Sequence, residues 1–211
     1  MDGLDAPLLT DARYTSVAAE PTSAIAEPAS VVTHGSVGAF LASVEGRAFR
    51  MAQLTTGRRE ESLDLVQEAM LRLAERYAER PPGEWPAIFF RILANACRDW
   101  HRRRRVREQV LVWFGGKGRA TPEEPCDDWI EGVADGSGPL ERLQGTRSLA
   151  VLVRALRALP MRQQQCFWLR NVEGLDVSTT ARALGISDGS VKTHYARAVQ
   201  RLRAELEGHW P

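Results

Sequence analysis

From Val37 to Leu206 the apolar residues recur at intervals of three and four, and no segment shows sustained alternation of apolar and polar positions. A period of 3.6 marks amphipathic helices, and without period two there is no half-buried strand to build a sheet from. The first stripe is Phe40, Leu41, Val44, Ala48, Phe49 and Met51 within Val37–Leu54, broken at Thr55-Thr56-Gly57. The second, Val66, Met70, Leu73 and Tyr77, occupies about Glu60 to Ala78 and ends at Pro81-Pro82-Gly83. A third begins near Trp85-Pro86, where proline suits a first turn, and runs to about Arg107 through Phe89, Ile92, Leu93, Ala96 and Trp100. The expected fold class is all-α.

Between Gly115 and Pro139 nine residues are Gly or Pro and the period vanishes, which predicts a linker. Helical patterning returns from Leu140 to Leu159, stops at Pro160, resumes from Arg162 to Asn171 and stops again at Gly174. Residues 1–35 mix Ala, Pro, Ser, Thr and Glu without periodicity and read as a disordered tail. The expected organisation is therefore a tail at 1–35, a helical domain at 36–110, a flexible acidic linker at 111–139 and a second helical domain at 140–211. Trp113, Phe114 and Trp129 sit in or beside the linker, where isolated aromatics usually pack on a neighbouring domain.

The second domain carries the most specific local pattern. A short helix from Val177 to Leu184 stops at Gly185, a residue type that accepts a left-handed turn, and Ser187 can cap the helix that follows. In that helix Val191, Tyr195, Ala198, Val199, Leu202 and Leu206 form a buried stripe. The other side carries Ser190, Lys192, Thr193, Ala196, Arg197 and Gln200, small, hydrogen-bonding or cationic groups able to enter a major groove. This is a helix-turn-helix pattern, in which the start of the second helix reads base edges. An ordinary amphipathic surface helix shares the stripe but not the capped glycine turn, nor an exposed start without acids after Asp188.

The net charge of +1 conceals segregation along the chain. Six arginines lie between Arg98 and Arg107 against the single acid Asp99, whereas Ala120 to Glu141 holds seven acids and no Lys or Arg. Cations at a helix C-terminus complement its dipole, which accounts for one or two arginines. Six fit a track along nucleic-acid phosphates better. Asn95 lies one turn earlier, off the Phe89, Ile92, Ala96 stripe, and its amide can donate to and accept from an unpaired base edge. On Asp64-Leu65-Val66-Gln67-Glu68-Ala69-Met70-Leu71-Arg72-Leu73, a second face mixes Asp64, Gln67, Glu68, Arg72 and Glu75 with Leu71. An exposed leucine among charges is how a partner-binding helix looks.

Other chemistry finds little support. No apolar run reaches membrane-span length and no signal-peptide core precedes Ser36, so no membrane insertion and a cytoplasmic location are expected. Three separated cysteines, Cys97, Cys126 and Cys166, make a disulfide framework unlikely, and reduced thiols are the default. Cys97 and His101 are spaced i, i+4, but no second ligand pair follows at zinc-site spacing. His34 and His209 lie in weakly patterned ends, and His194 fits a phosphate or base contact better than catalysis. No phosphate-binding glycine loop, nucleophile elbow or His-Glu-x-x-His is present, so neither an enzyme nor a metal or cofactor is expected.

Together these residues resemble the bacterial extracytoplasmic-function sigma factors, over about residues 37–108 and 140–206. Asp64-Leu65-Val66-Gln67-Glu68-Ala69 with Leu71-Arg72-Leu73 is similar to the family's segment that grips the clamp helices of the largest polymerase subunit. Phe90-Arg91-Ile92-Leu93-Ala94-Asn95 and the following Arg98, Asp99, Arg102 and Arg103 resemble the segment that melts and reads the minus-10 element. There the resemblance implies that Asn95 and a loop at about Arg80–Trp85 capture a flipped base. Ala158-Leu159-Pro160-Met161-Arg162-Gln163-Gln164-Gln165-Cys166-Phe167 and Glu173-Gly174-Leu175 resemble the opening of region four. Gly189-Ser190-Val191-Lys192-Thr193 with Arg197 resembles its minus-35 reading helix.

Two positions depart from the family pattern. Val177-Ser178-Thr179-Thr180-Ala181 stands where an acidic pair is common, and Ala196 stands where a larger side chain is frequent, a change that either alters base preference or favours contact with a thymine methyl. The resemblance implies a promoter-specificity factor with core RNA polymerase and promoter DNA as partners, and an anti-sigma factor as a further partner common in the family. It also implies that the linker threads the polymerase, its acidity mimicking nucleic-acid charge. Two other readings use the same residues. A response-regulator-type helix-turn-helix protein would need an N-terminal receiver with alternating strands, and a helical adaptor would bind polymerase without reading promoters.

Overall fold

The computed structural model describes residues 36–113 and 139–207, with side chains over 36–110 and 149–207. The expected tail, most of the linker with Phe114, Cys126 and Trp129, and both His34 and His209 fall outside the described residues, as does the side chain of Trp113. Seven α-helices follow in order: α1 Val37–Thr56, α2 Arg59–Tyr77, α3 Trp85–Trp113, α4 Pro139–Ala158, α5 Met161–Asn171, α6 Val177–Leu184 and α7 Asp188–Leu206. No strand occurs among the described residues.

Local chemistry sets most of the boundaries. The Ser36 hydroxyl accepts from the Ala39 N–H at 3.2 Å to start α1, and Gly57 ends it at φ +69°, its N–H returning to the Gln53 carbonyl. Pro82–Glu84 forms a short 3-10 turn leading into α3, with Pro86 in the first turn of that helix. The third helix extends six residues beyond the sequence expectation of Arg107, to Trp113. Glu108 explains part of the extension, since it pairs with Arg104 one turn back at 2.8 Å.

In the first half α1, α2 and α3 pack on one another around Phe40, Phe89 and Phe90. Phe89 meets Phe40 and Phe90 edge-on at 5.9 and 5.2 Å between centroids, the arrangement that ring quadrupoles favour. Trp85 joins the cluster, and its indole N–H donates to the Tyr77 carbonyl, tying the start of α3 to the end of α2. In the second half α7 packs on α4, α5 and α6 through Val191, Ala198 and Leu202.

The two halves also pack on each other, chiefly α6 on α3, with α4 and α5 on α1. Their buried residues form one continuous core, from Phe40 to Leu202. The halves anticipated from sequence are present as helical regions, but the described residues hold them together.

Candidate nucleic-acid interface

The turn between α6 and α7 is built as its sequence requires. Gly185 adopts φ +64°, and its N–H and that of Ile186 both reach the Ala181 carbonyl. Ser187 then caps α7, its hydroxyl accepting from the Ser190 N–H at 3.2 Å. Arg162 of α5 reinforces the turn from outside by donating to the Leu184 carbonyl at 3.1 Å. The other end of α6 is capped by Asp176, whose carboxylate accepts from the Thr179 N–H at 2.6 Å and is thereby held below the usual carboxylate range.

The structure shows how the residues that the sequence offered for DNA contact on α7 are exposed. Lys192, Thr193, Ala196, Arg197 and Gln200 are exposed on one side, while Val191, Ala198 and Leu202 are buried on the other. Ser190 is half-buried, and its hydroxyl lies 2.9 Å from that of Ser187, so it belongs to the cap as much as to the reading surface. The Thr193 hydroxyl donates to the Gly189 carbonyl at 2.9 Å. Arg201, one turn beyond Arg197, is also exposed; a chain of cations at i, i+4 spacing is the signal that would have included it.

Sequence periodicity placed Tyr195 in the buried stripe; the structure packs it partly buried against the core and gives it a second role as well. Its ring stacks on Phe167 at 6.4 Å, the Arg170 guanidinium lies over it at 5.9 Å, and its hydroxyl donates to the Asn171 side chain at 2.9 Å. Three residues of α5 thus grip a single residue of the reading helix.

On α3 the proposed minus-10 residues share one face but differ in freedom. Asn95 is half-buried and accepts a close hydrogen bond from Arg98. Asp99 pairs with Arg102 at 3.6 Å, and Arg103 and Arg105 are exposed. Arg104 is committed elsewhere, to Glu108 and to the face of Trp100, whose indole N–H donates to Glu61 of α2. A shallow cleft of about 410 Å³ runs beside this face, lined by Arg98, His101, Arg102, Arg105 and, from α5, Met161.

A third surface lies on α2. Asp64, Gln67, Glu68, Leu71 and Arg72 are all exposed, Leu71 by 61%. Leu63, unnoticed in the sequence, is 38% exposed and sits two helical turns before Leu71 in the same row. Glu68 and Arg72 pair at 2.8 Å along the helix. Large exposed apolar side chains framed by charges make this the most partner-like surface of the first half.

Cys97 and Cys166 are buried free thiols, pushed up to about 12 and about 11 by desolvation. Cys97 is fully enclosed beside a half-buried His101, and the described residues contain no group of three acidic, His or Cys side chains able to hold a metal ion. No described helix is long and apolar enough to cross a membrane.

Known proteins share this layout. The family model for sigma-70 region 2 matches residues 37–107, and that for sigma-70 region 4 matches residues 149–202. The chain is 32% identical over 166 residues to the ECF RNA polymerase sigma factor SigM of Mycobacterium tuberculosis, covering 76% of this chain and 71% of that one. It is 29% identical over 170 residues to the RNA polymerase sigma-E factor of Streptomyces coelicolor, covering 70% and 85%. Among solved structures, its fold is similar to that of the sigma factor RpoE in complex with the anti-sigma factor NepR from Bartonella quintana, at 20% identity and a TM-score of 0.54, over 80% of this chain and 94% of that one. CnrH in complex with the cytosolic domain of CnrY gives 19% identity and 0.51, over 82% and 88%. The chain belongs to the sigma-70 family and, within it, to the extracytoplasmic-function sigma factors, the non-enzymatic subunits that give bacterial RNA polymerase its promoter specificity.

Proposed function

We propose that three surfaces divide this work. Ser190, Lys192, Thr193, Ala196 and Arg197 of α7 contact the minus-35 element, with Ala196 against a thymine methyl. Asn95, Arg98, Asp99, Arg102 and Arg103 of α3 engage the minus-10 element, Asn95 reading an extruded base once Arg98 releases its amide. Asp64, Gln67, Glu68, Leu71 and Arg72 of α2 bind core polymerase, Leu71 supplying the apolar anchor. The functional units are then 36–110 and 140–211, with 111–139 between them and 1–35 ahead.

The observation that carries this reading is the exposure of the Lys192 to Arg197 face on a helix fixed at its cap, at its turn and through Tyr195. A reading helix has to be rigid before it can discriminate among bases. Action with core polymerase on promoters supports a cytoplasmic location. The solved relatives are complexes with NepR and with CnrY, which supports an anti-sigma factor as a further partner. Run-off transcription with purified core polymerase on a promoter library tests the reading: a defined promoter set should be selected only when the protein is present. Association with core enzyme without promoter selection would instead leave the adaptor reading.

A further inference from the structure

The arginines late in α3 are crowded, and one side of the helix carries most of the crowding. Arg98, Arg102 and Arg105 stand at i, i+4 and i+7, a row that covers about 10 Å of helix axis. Together with His101 and Gln109 they line the cleft of about 410 Å³, and Met161, the first residue of α5, borders it from the other helix. None of the described residues that line it is acidic. Asp99, on the same helix, answers Arg102 at 3.6 Å, and Glu108 is taken by Arg104 at 2.8 Å. Burial, and then the positive charge of Arg98, lowers the hold of the Arg162 guanidinium on its proton, so the charge around the cleft is poorly balanced.

Charge, shape and size together narrow what such a cleft can hold. Guanidiniums this close repel one another, and an anion set among them turns that repulsion into attraction. Their planar forks suit phosphoryl oxygens, which they can meet two at a time. A row of three calls for an extended ligand with several charges, because a single small anion reaches only part of it. The volume lies within the range of small-molecule sites, about 300 to 1,000 Å³, and is far too small for a duplex. The start of α5 adds to the field, since that helix has no side-chain cap and no acid in its first turn.

We propose that this cleft binds a short chain of linked phosphates, the chemistry shared by nucleoside polyphosphates and inorganic polyphosphate. Arg98, Arg102 and Arg105 grip successive phosphoryl groups, the Gln109 amide donates at the open end, and Met161 covers the chain from α5. Arg98 and Arg102 are also assigned above to the minus-10 element. On that reading, and resting on it, a bound phosphate chain competes with promoter DNA for the same two guanidiniums.

The test is a calorimetric titration of the full chain with tripolyphosphate, in about 0.15 M salt to screen loose surface attraction and with a chelator to remove divalent cations. One ligand should bind per chain, about tenfold or more tighter than orthophosphate, which meets only part of the row. A second arm with ATP separates the sources: equal affinity assigns the site to the phosphate chain alone, tighter binding adds the nucleoside, and weaker binding leaves inorganic polyphosphate as the ligand. Arg105→Glu and Met161→Glu should each weaken tripolyphosphate about tenfold or more with an unchanged thermal melt. Arg107→Glu makes the same charge change on the same helix but outside the cleft, and should bind normally. A flat titration, several weak ligands per chain, or equal losses in Arg105→Glu and Arg107→Glu would each overturn the site. Failure of the promoter reading would appear separately, in competition with a single-stranded minus-10 oligonucleotide. One-to-one binding of tripolyphosphate that displaces none of that oligonucleotide keeps the cleft and removes Arg98 and Arg102 from the minus-10 contacts.

Discussion

Tyr195 donates its hydroxyl to the Asn171 side chain at 2.9 Å, joining the exposed middle of the reading helix to the last residue of α5. With Phe167 stacked on the ring and Arg170 above it, the contact fixes the rotation of α7 about its own axis. On the proposed minus-35 contact, that rotation is what would align Lys192, Ala196 and Arg197 with a groove.

Tyr195→Phe should therefore retain the stack and fold normally while losing discrimination at the minus-35 element. Tyr195→Ala should also lower stability, by about 2 to 4 kcal/mol for loss of a largely packed aromatic. Competition binding against scrambled duplex measures the first effect and chemical denaturation the second. Unaltered discrimination in both variants would remove the positioning role.

Lys192→Ala and Arg197→Ala separate base reading from phosphate binding. A base contact costs about 1 to 3 kcal/mol and relaxes preference at one position, whereas a phosphate contact weakens all sequences alike and reduces the salt slope by about one. Titrations of specific and scrambled duplex at several salt concentrations distinguish the two. Arg201→Ala, beyond the turn that begins the helix, should behave as a phosphate contact.

Leu71→Glu should weaken association with core polymerase without unfolding the protein, because the side chain is 61% exposed. Loss of a central apolar anchor is expected to cost about 2 kcal/mol or more, some thirtyfold in affinity. Pull-down with purified core enzyme and a thermal melt read the two consequences. Leu63→Glu should weaken binding less, since it presents less surface.

Asp176→Ala removes the cap of α6 and should cost about 1 kcal/mol, while Asp176→Asn should be nearly silent at neutral pH because asparagine caps as well. The wild-type carboxylate is held below its ordinary 3.8 by the Thr179 N–H. Its contribution is thus present above 3.8 and lost as the pH falls through the depressed value. Denaturation of wild type and Asp176→Asn should diverge only in that acidic window.

Glu173 has the opposite sign. Desolvation raises its carboxyl above the ordinary 4.5, with Arg47 and Trp168 pulling it partly back. Its contribution to stability is full below 4.5 and declines as the pH rises through the elevated value. Glu173→Gln should accordingly gain on wild type between pH 4.5 and neutrality, as a denaturation series across that range would show.

The helices were legible because each apolar stripe agrees with its own stop signal: Gly57, Gly174 and Gly185 all adopt positive φ where the pattern breaks. The exposed faces of α2 and α7 followed from the same periodicity. Contacts between halves were not legible, because Arg47 and Glu173 lie 126 residues apart and nothing local to either marks the other. The second role of Tyr195 was hidden for a related reason. An aromatic at a core spacing looks the same in sequence whether it merely fills space or also ties two helices through its hydroxyl.

The hydroxyl of Thr193 spends its one proton on the Gly189 carbonyl. What remains for a duplex is a pair of lone pairs and a methyl group. That leaves the side chain able to accept from the exocyclic amines of adenine or cytosine and to touch the methyl of thymine. Guanine presents only acceptors on its major-groove edge, and to guanine this threonine has nothing to give. On the proposed minus-35 role of Thr193, a single intrahelical bond would write a preference against guanine into that surface before any DNA arrives.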